Sequence, residues 1–195
     1  MLDVGCSLGQ LTSRLGALTP DVHAVDISPT AVRQARTRCR TSEGAATFRF
    51  YAASATELPF APERFDLVLL CDGLLSWRLP PEEQEAVLRD VYRITVPGGW
   101  VLLTDALKTP QIEPFVERAG RSPFDFAPVR YLNDRLWYSL ERATRPVQEW
   151  RVTRAALASR TLARLLMPLS ALARVRGTKH VCLVGRKPAG EGGGR

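Results

Sequence analysis

The chain has 195 residues, 45% apolar and 24% charged, a composition that suits one globular domain able to bury a sizeable core. It lacks a run of about 18 apolar residues, so no membrane span is predicted, and its start lacks the basic region and cleavage site of a signal peptide. The formal charge is +7, but lysine occurs only at Lys108, Lys179 and Lys187, and the basic residues do not interleave with aromatics as in a nucleic-acid face. Cys6, Cys39, Cys71 and Cys182 form no C-x-x-C pair, so neither a metal site nor a disulfide framework is expected. Reduced thiols and a cytoplasmic location follow as expectations.

The first stretch, Met1-Leu2-Asp3-Val4-Gly5-Cys6-Ser7-Leu8-Gly9-Gln10-Leu11-Thr12, reads as strand, glycine-rich turn and helix start. This arrangement cradles nucleotide cofactors. Val22-His23-Ala24-Val25-Asp26 is a second strand closed by an acid suited to gripping ribose hydroxyls. Ser28-Pro29-Thr30 predicts an N-cap and a helix to about Arg40, and Thr47 to Ala52 alternates as a third strand. Arg64 to Asp72 holds a continuous apolar run bounded by polar residues, expected to be covered on both faces. Pro80-Pro81-Glu82-Glu83 opens a helix with acids in its first turn. Val96-Pro97-Gly98-Gly99 ends that helix in a turn, and a fifth strand covers Val101 to Asp105.

Further along, the patterns predict a short helix at 114–119, helical spacing over 131–145, a strand at 147–153 and a helix over 155–174 interrupted by Pro168. A last strand covers 179–186, and residues 189–195 form a disordered tail. Residues 1–188 are read as one domain, with 110–175 as a substrate lid. The aromatics within 131–145 are read as core packing, with a role in that lid as the alternative.

The dinucleotide fingerprint G-x-G-x-x-G fits poorly, because Ser7 and Gln10 fill two of its glycine positions. Asp3, Gly5 and Gly9 match acid-x-Gly-x-x-x-Gly instead, which resembles motif I of the class I S-adenosylmethionine-dependent methyltransferases. Serine replaces the family's usual glycine at Ser7. Phe65-Asp66-Leu67-Val68-Leu69-Leu70 looks like that family's fourth strand, and Val96-Pro97-Gly98-Gly99 its usual turn before the fifth. Gly5 to Thr12, Ala24 to Ser28 and Ala35 to Cys39 are similar to the nodulation-protein S type, which N-methylates an amino sugar.

The resemblance implies a Rossmann-like open α/β sheet of about seven mostly parallel strands. Its last strand would run antiparallel at the sheet edge, with an α-helical C-terminal insertion. It implies S-adenosylmethionine as cofactor, held by Asp3, Gly5, Cys6, Ser7, Gly9, Asp26, Ile27, Ser54, Ala55 and Cys71. Ser54 stands where the family commonly has an acid for the adenine amino group. Asp72, after the fourth strand, is the candidate proton acceptor.

Cys71-Asp72-Gly73-Leu74 lacks the acid-or-Asn-Pro-Pro-aromatic motif of nucleic-acid amino-methyltransferases. A small-molecule acceptor follows by elimination, and the nodulation-protein S resemblance implies an amine or amino sugar. No metal is implied, and the oligomeric state is open. The rival readings are a non-catalytic cofactor-binding module and a nicotinamide-dependent oxidoreductase. Because Met1 falls inside the first strand, the family pattern also predicts missing upstream helices, an open cleft and weak cofactor binding. The alternative is that 131–174 folds back as the cover.

Overall fold

A computed structural model describes residues 1–40, 46–72, 79–107, 109–132 and 180–189. In chain order the elements are β1 Leu2–Val4, α1 Gln10–Leu15, β2 Asp21–Asp26, α2 Pro29–Arg40, β3 Thr47–Ala52 and β4 Phe65–Cys71. They continue with α3 Pro81–Ile94, β5 Thr95–Ala106, α4 Thr109–Gly120, β6 Asp125–Phe126, β7 Arg130–Leu132 and β8 His180–Arg186. The sheet order is β3-β2-β1-β4-β5-β8-β6, with β7 also paired to β8. The first five strands of that order are mutually parallel. β8 runs antiparallel to β5 and to both short strands.

This is the open α/β sheet expected, Rossmann-like and mostly parallel. The chain leaves β1 toward β2 and β3, then returns to lay β4 on β1's other side. That reversal is the topological switch point where ligands sit in such sheets. Side-chain alternation divides the core in two. Leu2, Val4, Val68, Leu70, Val101 and Leu103 face Val87, Val91 and Ile94 of α3. On the opposite face, Ala24, Val32, Ala35 and Phe50 pack together between β2, β3 and α2. Ser28 caps α2 as expected, its hydroxyl accepting from the Ala31 N–H at 3.2 Å.

Four sequence expectations need correction. β8 is antiparallel but not at the edge, because β6 and β7 pair along its far side. The two short strands have too few residues for a periodic signal, and only pairing defines them. The turn at Val96–Gly99 lies inside β5, where the register against β4 jumps from Phe65↔Thr95 to Leu67↔Trp100. Those residues bulge out, with Gly98 at φ 76°, and exchange backbone hydrogen bonds with Lys187. The helix expected at 114–119 begins at Thr109 and carries Pro114 inside it. Tyr131 and Leu132, read as the start of a helical stretch, are strand. The remainder of that stretch, the strand at 147–153, the helix over 155–174 and most of the lid and tail lie outside the described residues.

His23 is buried between β1 and β3, at 2% exposure. Its Nδ1 lies 3.1 Å from the Tyr51 hydroxyl, and Phe60 and Phe65 meet its ring edge-on. Burial holds its pKa below the ordinary value, with Asp21 opposing the shift. The unfolded chain therefore binds the extra proton first as the pH falls. His23's share of stability is full above about pH 6.5 and is lost as the pH drops through the lowered folded value. Urea midpoints should fall between pH 7.5 and 5.5, and the fall should shrink in His23→Gln. An equal fall in both proteins would refute the assignment to His23.

Candidate cofactor site

β1 ends in a tight loop. The N–H groups of Gly5 and Cys6 both donate to the Val25 carbonyl, at 2.8 and 2.9 Å. Gly5, Ser7 and Gly9 all have positive φ, at 79°, 48° and 73°. Ser7 thus occupies the left-handed region that favours glycine, which gives a backbone reason for the family's residue there.

A cleft of about 460 Å³ opens between this loop and the end of β4, lined by Asp3, Gly5, Cys6, Ser7, Leu8, Gln10, Leu11, Cys71, Asp72 and Thr104. Asp3, Gly5, Cys6, Ser7, Cys71 and Asp72 are thereby brought together. Asp26, Ile27, Ser54 and Ala55 lie outside the lining, at the ends of β2 and β3. Those two ends are tied by the Ala53 N–H donating to the Asp26 carbonyl at 3.1 Å. Gly9 also lies outside it. A Cβ there would come within 2.9 Å of the Ala35 Cα and Cβ. Its glycine is required by the approach of α2 and by its backbone angle.

Asp26 accepts from the Ser7 N–H at 2.8 Å and from the Ser28 N–H at 2.9 Å. One carboxylate thus ties the glycine loop to the start of α2. Each oxygen keeps a second acceptor site for a hydroxyl donor. Ile27 beside it is 74% exposed, an apolar surface next to that carboxylate. Ser54 Oγ lies 2.7 Å from Thr56 Oγ1 and accepts from the Thr56 N–H, so its loop is internally ordered.

Asp3 is 2% exposed and accepts from the Thr12 hydroxyl at 2.6 Å. Burial raises its pKa, partly offset by that bond, and Asp26 adds to the rise. Burial also pushes the Cys6 thiol up to about 12 and the Cys71 thiol to about 11. Both are neutral walls, not nucleophiles. Among the described residues no cluster could hold a metal ion.

His180, Arg93 and Asp90 were not found from sequence. Asp72 has φ 57°, and its N–H donates to the Thr104 carbonyl at 2.9 Å. That turn sets its carboxylate 3.2 Å from His180 Nε2 on β8. No spacing rule links two residues so far apart in sequence. Arg93 and Asp90 of α3 hold the loop after Ser54. Arg93 donates to the carbonyls of Phe60 and Leu58, at 2.7 and 3.0 Å, and Asp90 accepts from the Leu58 N–H at 2.6 Å. Removing a charged donor of this kind costs about 1.5–3 kcal/mol. Arg93→Ala should lower the unfolding free energy by about 2 kcal/mol in urea titration, and loosen donor binding through the freed loop. Unchanged stability would show the clamp to be incidental.

These groups fit S-adenosylmethionine. The cofactor's cationic end suits a cleft walled by Asp3 and Asp72, its ribose suits Asp26, and its apolar ring suits Ile27.

The comparisons with known proteins agree. The pattern of the methyltransferase domain family matches residues 1–99, and the chain belongs to that family, the class I S-adenosylmethionine-dependent methyltransferases. It is 30% identical over 131 residues to the ubiquinone/menaquinone biosynthesis C-methyltransferase UbiE of Citrobacter koseri, covering 66% of this chain and 50% of that protein. The chain thus spans about half the length of the curated relatives it matches.

Among solved structures, the N-methyltransferase NodS of Bradyrhizobium japonicum superposes with TM-score 0.63 at 13% identity, covering 96% of this chain and 76% of that one. Phosphoethanolamine N-methyltransferase 2 of Haemonchus contortus gives 0.67 at 22%, covering 96% and 48%. The cyclase SpnF gives 0.70 at 18%, covering 97% and 75%. These likenesses establish the fold. A cyclase among them means that fold alone does not select the reaction. Among the described residues no helix is long and apolar enough to cross a membrane.

Proposed function

We propose that this chain transfers a methyl group from S-adenosylmethionine to a small-molecule acceptor. The observation that carries the proposal is the cleft at the switch point, where the glycine loop faces Asp72. The donor supplies an activated methyl on a sulfonium with its leaving group built in. The protein's work is to align, exclude water and manage a proton.

Asp3, Gly5, Cys6, Ser7 and Cys71 would hold the amino-acid end of the donor. Asp26 would take the ribose, with Ile27, Ser54 and Ala55 around the adenine; Gly9 acts by allowing α2 to approach. Asp72 is 61% exposed on its side chain, at the rim where an acceptor enters. It takes the acceptor's proton so that the nucleophile arrives with a free electron pair.

An amine or amino-sugar nitrogen fits this role, because an ammonium must lose a proton before it can attack. A second reading is favoured by the UbiE relatives, which are named as C-methyltransferases. On that reading the acceptor is a ring carbon activated by deprotonating a neighbouring hydroxyl. Both predict S-adenosylhomocysteine as the by-product.

The test is incubation with methyl-labelled S-adenosylmethionine and separate pools of amines, amino sugars and phenolic ring compounds. Label in one pool, with matching S-adenosylhomocysteine, is the expected result. Tight donor binding with no by-product from any pool would favour the non-catalytic module. A preference for NAD would favour the oxidoreductase.

A further inference from the structure

We propose that His180 is the positioning partner of Asp72 and the final holder of the proton that Asp72 takes from the acceptor. The inference rests on the reading of Asp72 given above. His180 opens β8 and is level with Ala106 of β5 and Leu132 of β7. Cys182, on the same face of β8, is level with Thr104, which lines the cleft. His180 therefore stands one pleat beyond the cleft wall, on the side of the strand ends where the acceptor enters. Its side chain is 30% exposed, and its Nε2 lies 3.2 Å from Asp72 Oδ1. Asp72 reaches it through a left-handed backbone angle, a conformation that costs a non-glycine residue free energy.

An isolated exposed carboxylate is a weak base near neutral pH, with a pKa near 4. An imidazole has a pKa near 6.5, matched to the working pH. The pair joins reach to capacity. Asp72 Oδ2 meets the acceptor, while Oδ1 faces the imidazole. The acceptor's N–H or O–H bond breaks and an O–H bond forms on Asp72. That bond then breaks as an N–H forms at His180 Nε2, leaving a carboxylate–imidazolium pair. The acceptor keeps the electron pair that attacks the methyl. No oxidant or further reactant is needed.

The charged and titratable groups around His180 are few among the described residues. Asp72 comes from the turn after β4 and Arg130 from β7, where it is level with Cys182. The thiols of Cys71 and Cys182 lie on the same face, and Asp105 is buried on the opposite face of β5.

The test uses the fact that the chain has two histidines. Proton NMR of the full chain, with S-adenosylhomocysteine added, should resolve both titrations. The His23→Gln variant assigns them. His180 should titrate above His23, and Asp72→Asn should move its midpoint down by about one unit. A His180 midpoint indifferent to Asp72→Asn would overturn the pairing.

With the acceptor from the labelling screen, His180→Gln should lower kcat about tenfold or more near neutral pH. The loss should shrink as the pH rises and the acceptor deprotonates unaided. Calorimetric affinity for S-adenosylhomocysteine should be unchanged. If His180→Gln keeps wild-type kcat while Asp72→Asn loses it, the inference fails and the reading of Asp72 stands. If Asp72→Asn also keeps full kcat, the reading itself fails.

Discussion

Gly9→Val should unfold or grossly loosen the first half of the sheet, with donor binding lost as a consequence. Gly9 sits at φ 73°, and an added Cβ would lie 2.9 Å from both the Cα and the Cβ of Ala35. One of those contacts is backbone, so no rotamer change relieves it. Overpacking costs about 1–3 kcal/mol, and the left-handed angle adds about 1–2 kcal/mol for a side chain. Together these are a large fraction of the 5–15 kcal/mol typical of a domain. Valine is worse than alanine because its branched Cβ is stiff. The thermal midpoint should fall more for Gly9→Val than for Gly9→Ala. Ala35→Gly should restore part of the Gly9→Ala loss, because it removes one of the two contacts. No restoration in that double-mutant cycle would mean that backbone strain dominates.

Asp26→Ala should weaken S-adenosylmethionine about tenfold or more in calorimetry. A charge-assisted hydrogen bond to a ribose hydroxyl is worth about 1.5–3 kcal/mol. The substitution does more than remove that bond. Asp26 also holds the N–H groups of Ser7 and Ser28, so its loss frees the glycine loop from α2. Asp26→Asn, which keeps a carbonyl acceptor, should lose less than Asp26→Ala. Equal affinity for wild type and Asp26→Ala would sink the assignment of the ribose site.

The first five strands were legible because each is a local apolar run, joined to the next by a helix or, between β3 and β4, by a loop. Apolar runs, turns and amphipathic helices of this kind are what patterning reads well. Gly5 and Gly9 were legible as special positions, but the reason for Gly9 was not, since its constraint is Ala35 on another helix. The Asp72–His180 contact was hidden because it joins the ends of β4 and β8. The Arg93 clamp was hidden because its partners are mostly backbone carbonyls, which carry no sequence signature. β6 and β7 escaped because a strand of two or three residues exists only by virtue of its neighbour.

The position of β8 sets an order of assembly. β1 to β5 can pair as they leave the ribosome, but β5 then presents an open edge from Trp100 to Ala106 until His180–Arg186 arrives to pair with it. β6 and β7 emerge earlier, yet their pairing surface is β8 itself. The sheet therefore closes from its C-terminal end backwards, and Lys187 locks the arrival by donating to the carbonyls of Tyr92 and Thr95. Long-range closure of this kind is slow, and a bare strand edge invites pairing with another chain. During synthesis, the interval before β8 emerges is the period of greatest aggregation risk.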